Sequence, residues 1–259
     1  MRLFFLFILL SALVIGCSTS SNTTLVNEKY TAKQNTPKEL VILPIQYDSL
    51  RILNWDDVVD DFEVDSANSK SFIYDTLSKS LLINSKSCTR LLTIVDGKNI
   101  FDWNTMIKDK NNYQQINQNI DKKYKATFLV PKKELLAEEH SNSYLLIINR
   151  MTIGRNIDRQ PGGPMYMPGQ TISTPGGTFQ TPGHWGSGWS QENLGARTEF
   201  IIWDYEKNDF VKCGLVITKE EFPFGMSTST WVAFFKTIPL NLYEDTPFGI
   251  SPVNYYYKK

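Results

Sequence analysis

The residue with the clearest chemistry is Cys17, a thiol that directly follows the small residue Gly16 at the end of an apolar run. The run begins at Leu3, behind the positively charged Arg2. A positive start, a short apolar stretch and a small residue at the cleavage point are typical of a secretory signal peptide. The sequence therefore predicts that residues 1–16 are removed and that the exported chain begins with Cys17.

Residues 13–17, LVIGC, resemble the lipobox of bacterial lipoproteins. The resemblance implies that the thiol is acylated with two or three chains, palmitate among them. One chain alone would hold a protein to a membrane only marginally. Ser18, directly after the cysteine, resembles the outer-membrane sorting pattern of enteric bacteria. We therefore expect a protein anchored by lipid to the periplasmic face of a Gram-negative outer membrane.

Two alternatives for this start are less favoured. An uncleaved membrane-spanning helix needs about 20 apolar residues. The run from Leu3 to Ile15 is shorter, and polar residues follow it at 18–21. An ordinary secretory signal would instead leave Cys17 as a disulfide partner.

The remaining thiols and the imidazoles are few. Outside the cytoplasm, Cys88 and Cys213 could pair as a disulfide, or both could be buried as small apolar side chains. Both interpretations stay open at this point. The only histidines are His140, in a polar connection typical of a surface, and His184, in a repetitive segment. Cysteines and histidines this isolated predict no metal site.

Motifs that would name a reaction are absent from the sequence. It contains no G-x-S-x-G, no G-x-x-x-x-G-K and no H-E-x-x-H. The acidic stretch at residues 56–65 lacks the Gly and the final Glu of a calcium loop, so we predict a solvated face. A carboxylate pair for glycosidic cleavage stays open, because only separation in space would reveal it. We expect a protein that is not an enzyme and that needs no cofactor.

Composition excludes some partners. The 259 residues are 41% hydrophobic and 13% aromatic, enough for a substantial core. Lys+Arg and Asp+Glu both number 27, so the chain has no basic field to hold nucleic acid. Partners should be a membrane, reached through the lipid on Cys17, and other proteins.

Hydrophobic patterning predicts an α/β (α+β) domain at residues 37–240, after a flexible tether at 17–36 and before an irregular tail at 241–259. We expect a mixed sheet flanked by helices, built as βαβαβ, then a β-meander, then a C-terminal helix ended by Pro239. The helix at 68–84 is indicated by Ile73, Leu77 and Leu81. The other predicted elements are helices at 111–122 and 228–237 and strands at 39–45, 91–95, 126–130, 144–153, 198–204 and 210–218.

A Pro-Gly-rich loop insert at residues 158–193 interrupts this pattern. Pro-Gly recurs at 161, 168, 175 and 182, and each pair suits a turn followed by a few extended residues. The insert could be a long loop without a task, a membrane or pore element, or a segment that docks on a partner. The aromatic anchors for docking would be Tyr166, Phe179, Trp185 and Trp189.

Three stretches resemble a small α/β domain shared by several bacterial envelope proteins: LVILPI, SFIYDTLSKSLL and FIIWDYEKNDFVKCGLVI. That group includes the curli-secretion lipoprotein CsgG, the N-terminal domain of TolB and the lipoprotein LpoB, and the resemblance covers about residues 38–220. It implies binding of envelope proteins or assembly into oligomers, with no catalytic residues. We therefore expect a lipid-anchored periplasmic binding or assembly module. The alternatives are a subunit of an oligomeric outer-membrane export channel and, less favoured, an envelope hydrolase.

Overall fold

A mixed β-sheet of seven strands organises the chain. The computed structural model describes residues 18–30, 38–90, 93–100, 102–155, 165–167, 171–174, 177–180, 184–186, 192–222 and 226–250. The strands in these residues are β1 (Ser18–Val26), β2 (Leu40–Ile42), β3 (Leu50–Leu53), β4 (Ile94–Asp96), β5 (Tyr113–Asn119), β6 (Lys125–Pro131), β7 (Tyr144–Arg155), β8 (Met165–Met167), β9 (Thr171–Thr174), β10 (Gly177–Gln180), β11 (His184–Gly186), β12 (Glu192–Asp204) and β13 (Asp209–Phe222). The α-helices are α1 (Trp55–Phe62), α2 (Ser66–Cys88), α3 (Trp103–Met106), α4 (Thr228–Phe235) and α5 (Thr237–Tyr243).

The order of strands in the large sheet is β1-β13-β12-β7-β2-β4, and β3 pairs with the far end of β7. β2 and β3 run parallel to β7, and β4 runs parallel to β2. β12 runs antiparallel to β7, β13 runs antiparallel to β12, and β1 runs antiparallel to β13. The sheet is therefore mixed, and the predicted fold class is confirmed.

Each central strand contributes to two cores, because successive side chains of a strand point to opposite faces. Leu146 of β7 belongs to the same buried cluster as Leu77 of α2 and Trp231 of α4. Its neighbour Leu145 belongs to a second cluster, together with Phe128 of β6. Helices thus cover one face of the sheet, and the β5–β6 hairpin covers part of the other.

The predicted helix around Ile73, Leu77 and Leu81 is confirmed as α2, and all three side chains are buried. Asp65 accepts a hydrogen bond from the backbone N–H of Ala67 and caps the start of the helix. Among the described residues, no helix is both long enough and apolar enough to cross a membrane.

The predicted helix at residues 111–122 is wrong. Tyr113, Ile116 and Ile120 are spaced as on a helix, but residues 113–119 pair antiparallel with residues 125–131. This pairing satisfies the backbone of both strands in a separate two-stranded sheet. The predicted βαβαβ order is therefore wrong at its third strand, which lies outside the large sheet.

The C-terminal helix does not end at Pro239. A second helix, α5, begins at Thr237, and Pro239 lies in its first turn, where a missing N–H leaves no helical hydrogen bond unmade. The predicted irregular tail is likewise wrong at its start, because Asn241–Tyr243 is helical. Gly249 then bridges to Thr89. Residues 251–259 lie outside the described residues.

The predicted flexible tether is wrong for residues 18–30. Residues 18–26 form β1, and every one of them pairs with β13. Asn27 continues the contact, because its backbone N–H donates to the carbonyl oxygen of Val211. Cys17, the predicted signal peptide at 1–16 and the tether residues 31–36 lie outside the described residues.

The two cysteines after Cys17 do not pair. Cys88 and Cys213 are both free and buried, and they belong to the clusters on opposite faces of the sheet. Burial raises the pKa of each thiol to about 12. Of the two interpretations left open by the sequence, the disulfide is wrong, and the burial of both cysteines as small apolar side chains is confirmed.

The insert contains four short strands within its described residues. β8 pairs antiparallel with β11, and β9 pairs antiparallel with β10. In this register Tyr166 lies opposite Trp185, and Ile172 lies opposite Phe179. The extended residues predicted between the turns are therefore present. The Pro-Gly turns themselves and Trp189 lie outside the described residues.

Candidate functional site

The β5–β6 hairpin covers only one half of the sheet face on its side. Phe128 of β6 is buried in the same cluster as Ile201 of β12. Further towards the insert, the positions of β12 on this face become polar, because Glu199 and Arg197 precede Ile201 at intervals of two. We call the uncovered half the open face, defined by Arg51 of β3, Arg150 and Thr152 of β7, and Arg197 and Glu199 of β12.

A β-bulge marks the border of the open face. Glu199 pairs with Arg150, whereas Phe200 pairs with Ile148, which leaves Asn149 as the extra residue of β7. A bulge increases the local twist and redirects side chains. Before the bulge, β7 is buried at five consecutive residues, and after it Arg150 and Thr152 are more exposed than Met151 and Ile153. The bulge therefore separates the covered half of the sheet from the open half.

Hydrogen bonds hold Glu199 at this border. The hydroxyl of Tyr124 donates to Oε2 of Glu199, and Nδ2 of Asn149 donates to Oε1. Nδ2 of Asn149 also contacts the backbone oxygen of Thr127 in β6, at 3.3 Å. Burial, followed by the hydrogen bond to Glu199, raises the pKa of Tyr124, so the phenol remains a donor. The carboxylate is thus oriented by two donors.

The open face forms the floor of a recess of about 600 Å³. One wall comes from residues 46–51, around the start of β3, and the floor comes from β7, β12 and β13. Leu215 is the apolar member of the lining. The polar members are Gln46, Asp48, Ser49, Arg51, Asn149, Arg150, Thr152, Arg197 and Glu199.

Three arginines dominate the charge of the recess. Thr152 pairs with Arg197 on one side and with Arg51 on the other, so the Cα atoms of these two arginines lie roughly 10 Å apart. Arg150 is two residues from Thr152 on the same strand, about 7 Å away. Within the described residues, the side chains of these three arginines form no ion pair and no hydrogen bond. Their planar guanidinium groups suit carboxylate or phosphate oxygens, which they can bind in pairs.

A buried ion pair supports the end of β7 from which the insert departs. Nη1 of Arg155 lies 3.2 Å from Oδ1 of Asp61 in α1, and Nε1 of Trp231 in α4 donates to Oδ2 at 2.9 Å. Asp61 is 6% exposed, so the predicted solvated acidic face is wrong at this position. Asn54 adds a hydrogen bond from Nδ2 to the backbone oxygen of Arg155. The base of the insert is therefore tied to two helices.

The opposite end of the sheet carries a second polar cluster. Nζ of Lys38 contacts Oδ1 of Asp204 at 3.1 Å and Oε2 of Glu206 at 2.7 Å, and Asp204 is completely buried. Nearby, Nδ1 of His140 lies 2.6 Å from Oε1 of Glu39. The side chain of His140 is 16% exposed, so it is more enclosed than the predicted surface position but not buried. These contacts join β2 and the 3₁₀ turns before β7 to the end of β12.

Of the predicted site residues that the structure describes, it brings Tyr166 and Trp185 together as paired positions of β8 and β11, and it does not gather the others into one site. Tyr166, Phe179 and Trp185 lie in the strands of the insert, whereas Cys88 and Cys213 are buried in the two cores. Sequence reasoning missed the three arginines of the open face altogether. A signal for them exists: β7 is continuously apolar at residues 144–148 and then alternates, and β12 alternates at 196–199. That change predicts a strand covered on both faces that becomes open on one.

Comparisons with known proteins assign no family. No protein-family model matches the chain, and no curated protein matches it. A solved dodecamer of a PelC variant from Paraburkholderia phytofirmans is 8% identical, with 88% of this chain and 99% of that chain covered and a TM-score of 0.28. Another PelC dodecamer from the same organism is 7% identical, with coverages of 86% and 97% and a TM-score of 0.29. TM-scores this low do not establish a common fold.

Proposed function

We propose that this protein is a lipid-anchored lipoprotein of the bacterial cell envelope that works as a binding or assembly module. Acyl chains on Cys17 hold it to the periplasmic face of the outer membrane, and the open face binds an acidic surface of another envelope protein. The lipobox resemblance of residues 13–17 supports the anchor. The three uncommitted arginines of the recess support the mode of binding.

The observation that carries the binding role is the contrast between the two ends of the sheet. At the covered end, Lys38 has two carboxylate partners. At the open face, Arg51, Arg150 and Arg197 converge on one recess without any among the described residues. The three arginines outnumber the two carboxylates of the lining, Asp48 and Glu199, so the recess attracts a carboxylate-rich partner. Such complementarity chiefly raises the association rate and the specificity of the complex.

In-cell photo-cross-linking tests the binding role. A photoreactive amino acid replaces Asp48, an exposed residue that lines the recess, and in a matched control it replaces Ile83 of α2, which is 67% exposed on the helical side. We expect protein adducts from position 48 and few from position 83. Adding Arg150→Glu and Arg197→Glu should reduce the adducts at position 48 by an order of magnitude. An adduct yield that is equal at both positions, or that the two Arg→Glu substitutions leave unchanged at position 48, would show that the open face is not the binding surface.

Cell fractionation tests the anchor. Replacing Cys17 with Ser removes the thiol that the acyl chains require, so the variant should leave the membrane fraction and appear in the soluble periplasmic fraction. Immunoblotting of both fractions gives the measurement. Unchanged sedimentation with membranes, at the same amount of protein, would refute the lipid anchor.

A further inference from the structure

The start of β1, which directly follows Cys17 in the sequence, lies at the same end of the large sheet as the end of β7 and the start of β12, the strands that flank the insert. Ser18, the first residue of β1, pairs with Glu220 of β13, and Glu192, the first residue of β12, pairs with Phe222 of the same strand. The insert leaves the sheet at the end of β7 and returns at the start of β12, and these two strands are neighbours. Because strands lie about 4.8 Å apart, Ser18 lies within roughly 15 Å of Arg155 and Glu192, the described residues that flank the insert.

No flexible segment separates Cys17 from the sheet, because β1 begins at the next residue, Ser18. A free segment of residues 17–36 could extend up to roughly 65 Å from the membrane. Instead, all nine residues of β1 pair with β13, beginning at the residue next to Cys17. An acyl group on Cys17 therefore places this end of the sheet at the level of the lipid headgroups.

The composition of the insert suits that place. Residues 160–191 contain no Asp, Glu, Lys or Arg, although charged residues make up 21% of the chain. Charged groups are costly below the headgroups, whereas Tyr and Trp are enriched at the boundary between water and lipid. Among the described strands of the insert, Tyr166 is paired in register with Trp185, and Ile172 with Phe179. A protein-docking segment, by contrast, usually keeps a charged or polar rim.

We infer that the insert is a membrane-contacting element that lies in the interface of the same phospholipid bilayer that holds Cys17. This inference rests on the acylation of Cys17 in the proposed function. The insert lies at the headgroup level and does not enter the hydrocarbon core, because a two-stranded ribbon has outer N–H and C=O groups that lipid cannot satisfy. Acyl chains and insert together give two points of contact, which orient the sheet and keep the open face close to the membrane.

Depth-dependent fluorescence quenching tests this inference. A single cysteine is introduced for dye labelling, at Thr178 of β10 in the insert or, as the matched control, at the exposed Ala137 near the start of β7. Cys88 and Cys213 do not compete for the dye, since burial keeps their thiols inaccessible and protonated. The acylated protein is reconstituted into vesicles of phosphatidylethanolamine and phosphatidylglycerol that contain nitroxide-labelled acyl chains.

We expect the dye at position 178 to be quenched several-fold more strongly than the dye at position 137. The control lies at the opposite end of β12, whose 13 residues span roughly 40 Å. Replacing both Tyr166 and Trp185 with Ser should reduce the quenching at position 178 towards the control value. Equal, weak quenching at both positions would overturn the inference, as would a dye at 178 that is protected by a protein partner instead of by lipid.

The mass of the purified chain shows whether Cys17 is acylated, so it distinguishes a failure of the proposed anchor from a failure of the membrane contact alone. An unmodified Cys17 would refute the proposed anchor and the inference with it. An acylated chain whose dye at position 178 is not quenched would refute the membrane contact alone and would leave the anchor and the open face standing.

Discussion

Lys212 provides the sharpest test of the core. It lies in β13 without exposed surface, and its Nζ donates to the backbone oxygen of Glu244, just after α5, at 2.5 Å and to that of Asn241 at 3.4 Å. Burial lowers the pKa of Lys212 from 10.5 to about 8, although the charges of Asp245 and Glu244 act in the opposite direction. The lysine thus joins the sheet to the end of a helix, and its charge is held away from water.

The magnitude follows from the linkage between proton binding and folding. Between pH 8 and pH 10.5 the unfolded chain keeps the proton on Lys212, and the folded chain has released it. The free energy of unfolding rises with pH wherever the unfolded state binds more protons. One pKa unit corresponds to about 1.4 kcal/mol, so the contribution of Lys212 should rise by about 3 kcal/mol across this window. Below pH 8 both states are protonated, and the folded state carries the full cost of the buried ammonium group.

The test compares the protein with the Lys212→Met variant by urea unfolding, followed by circular dichroism, from pH 7 to pH 10.5. The advantage of methionine over lysine should be about 3 kcal/mol larger at pH 7 than at pH 10.5. Its absolute value will be smaller, since methionine also loses the two hydrogen bonds to carbonyl oxygens, worth about 1 kcal/mol each. The tyrosines are common to both proteins, so their contributions to the pH dependence largely cancel. Lys236→Met, at an exposed position, controls for the loss of one positive charge.

A pH-independent difference between the lysine and methionine proteins would refute the reasoning about Lys212. It would mean that water reaches the ammonium group in the folded state. A difference that instead grows with pH would mean that the carbonyl oxygens stabilise the charge more than burial opposes it.

Two further substitutions test the attachment of β1 and the base of the insert. Gly214 has a φ of 145°, and an added Cβ would lie 2.4 Å from the backbone oxygen of Thr23, so Gly214→Ala should cost about 2 kcal/mol or more and expose β1 to proteases. Limited proteolysis with mass spectrometry gives the readout, and β1 that stays protected would contradict the register. Asp61→Ala removes the carboxylate that faces Arg155 and Trp231, and it should destabilise the fold by about 3 kcal/mol. Thermal unfolding measures this loss. Asp61→Asn keeps the shape of the side chain and an acceptor for Trp231, so it should cost less, and a loss equal to that of Asp61→Ala would show that the charge alone carries the stabilisation.

Much of the site could not be predicted from the sequence, because it depends on which part of the sheet the β5–β6 hairpin leaves uncovered. Arg150 and Arg197 look like ordinary polar positions of half-buried strands. They become a recess only because the β5–β6 hairpin ends at its turn, where Tyr124 contacts Glu199, and because β3 places Arg51 on the far side of β7. The hairpin itself was hidden, since the spacing of Tyr113 and Ile116 also fits a helix.

The sequence by itself determined the features that depend on neighbouring residues. These are the apolar stripe of α2, the long strands β7, β12 and β13 with the turn between the last two, and the extended residues between the Pro-Gly turns. Helical and strand periodicities are local, so a single chain shows them without its partners.

Only the tertiary structure decided the order of the strands, the separation of Cys88 from Cys213 and the pairing of β1. Residues 18–26 are mostly Ser, Thr and Asn, and they carry little hydrophobic signal. They join the sheet because β13 offers a row of backbone hydrogen-bond partners that no inspection of β1 alone could reveal. The same pairing brings Ser18 and the strands that flank the insert to one end of the sheet, because strands far apart in the chain become neighbours only when their backbones pair.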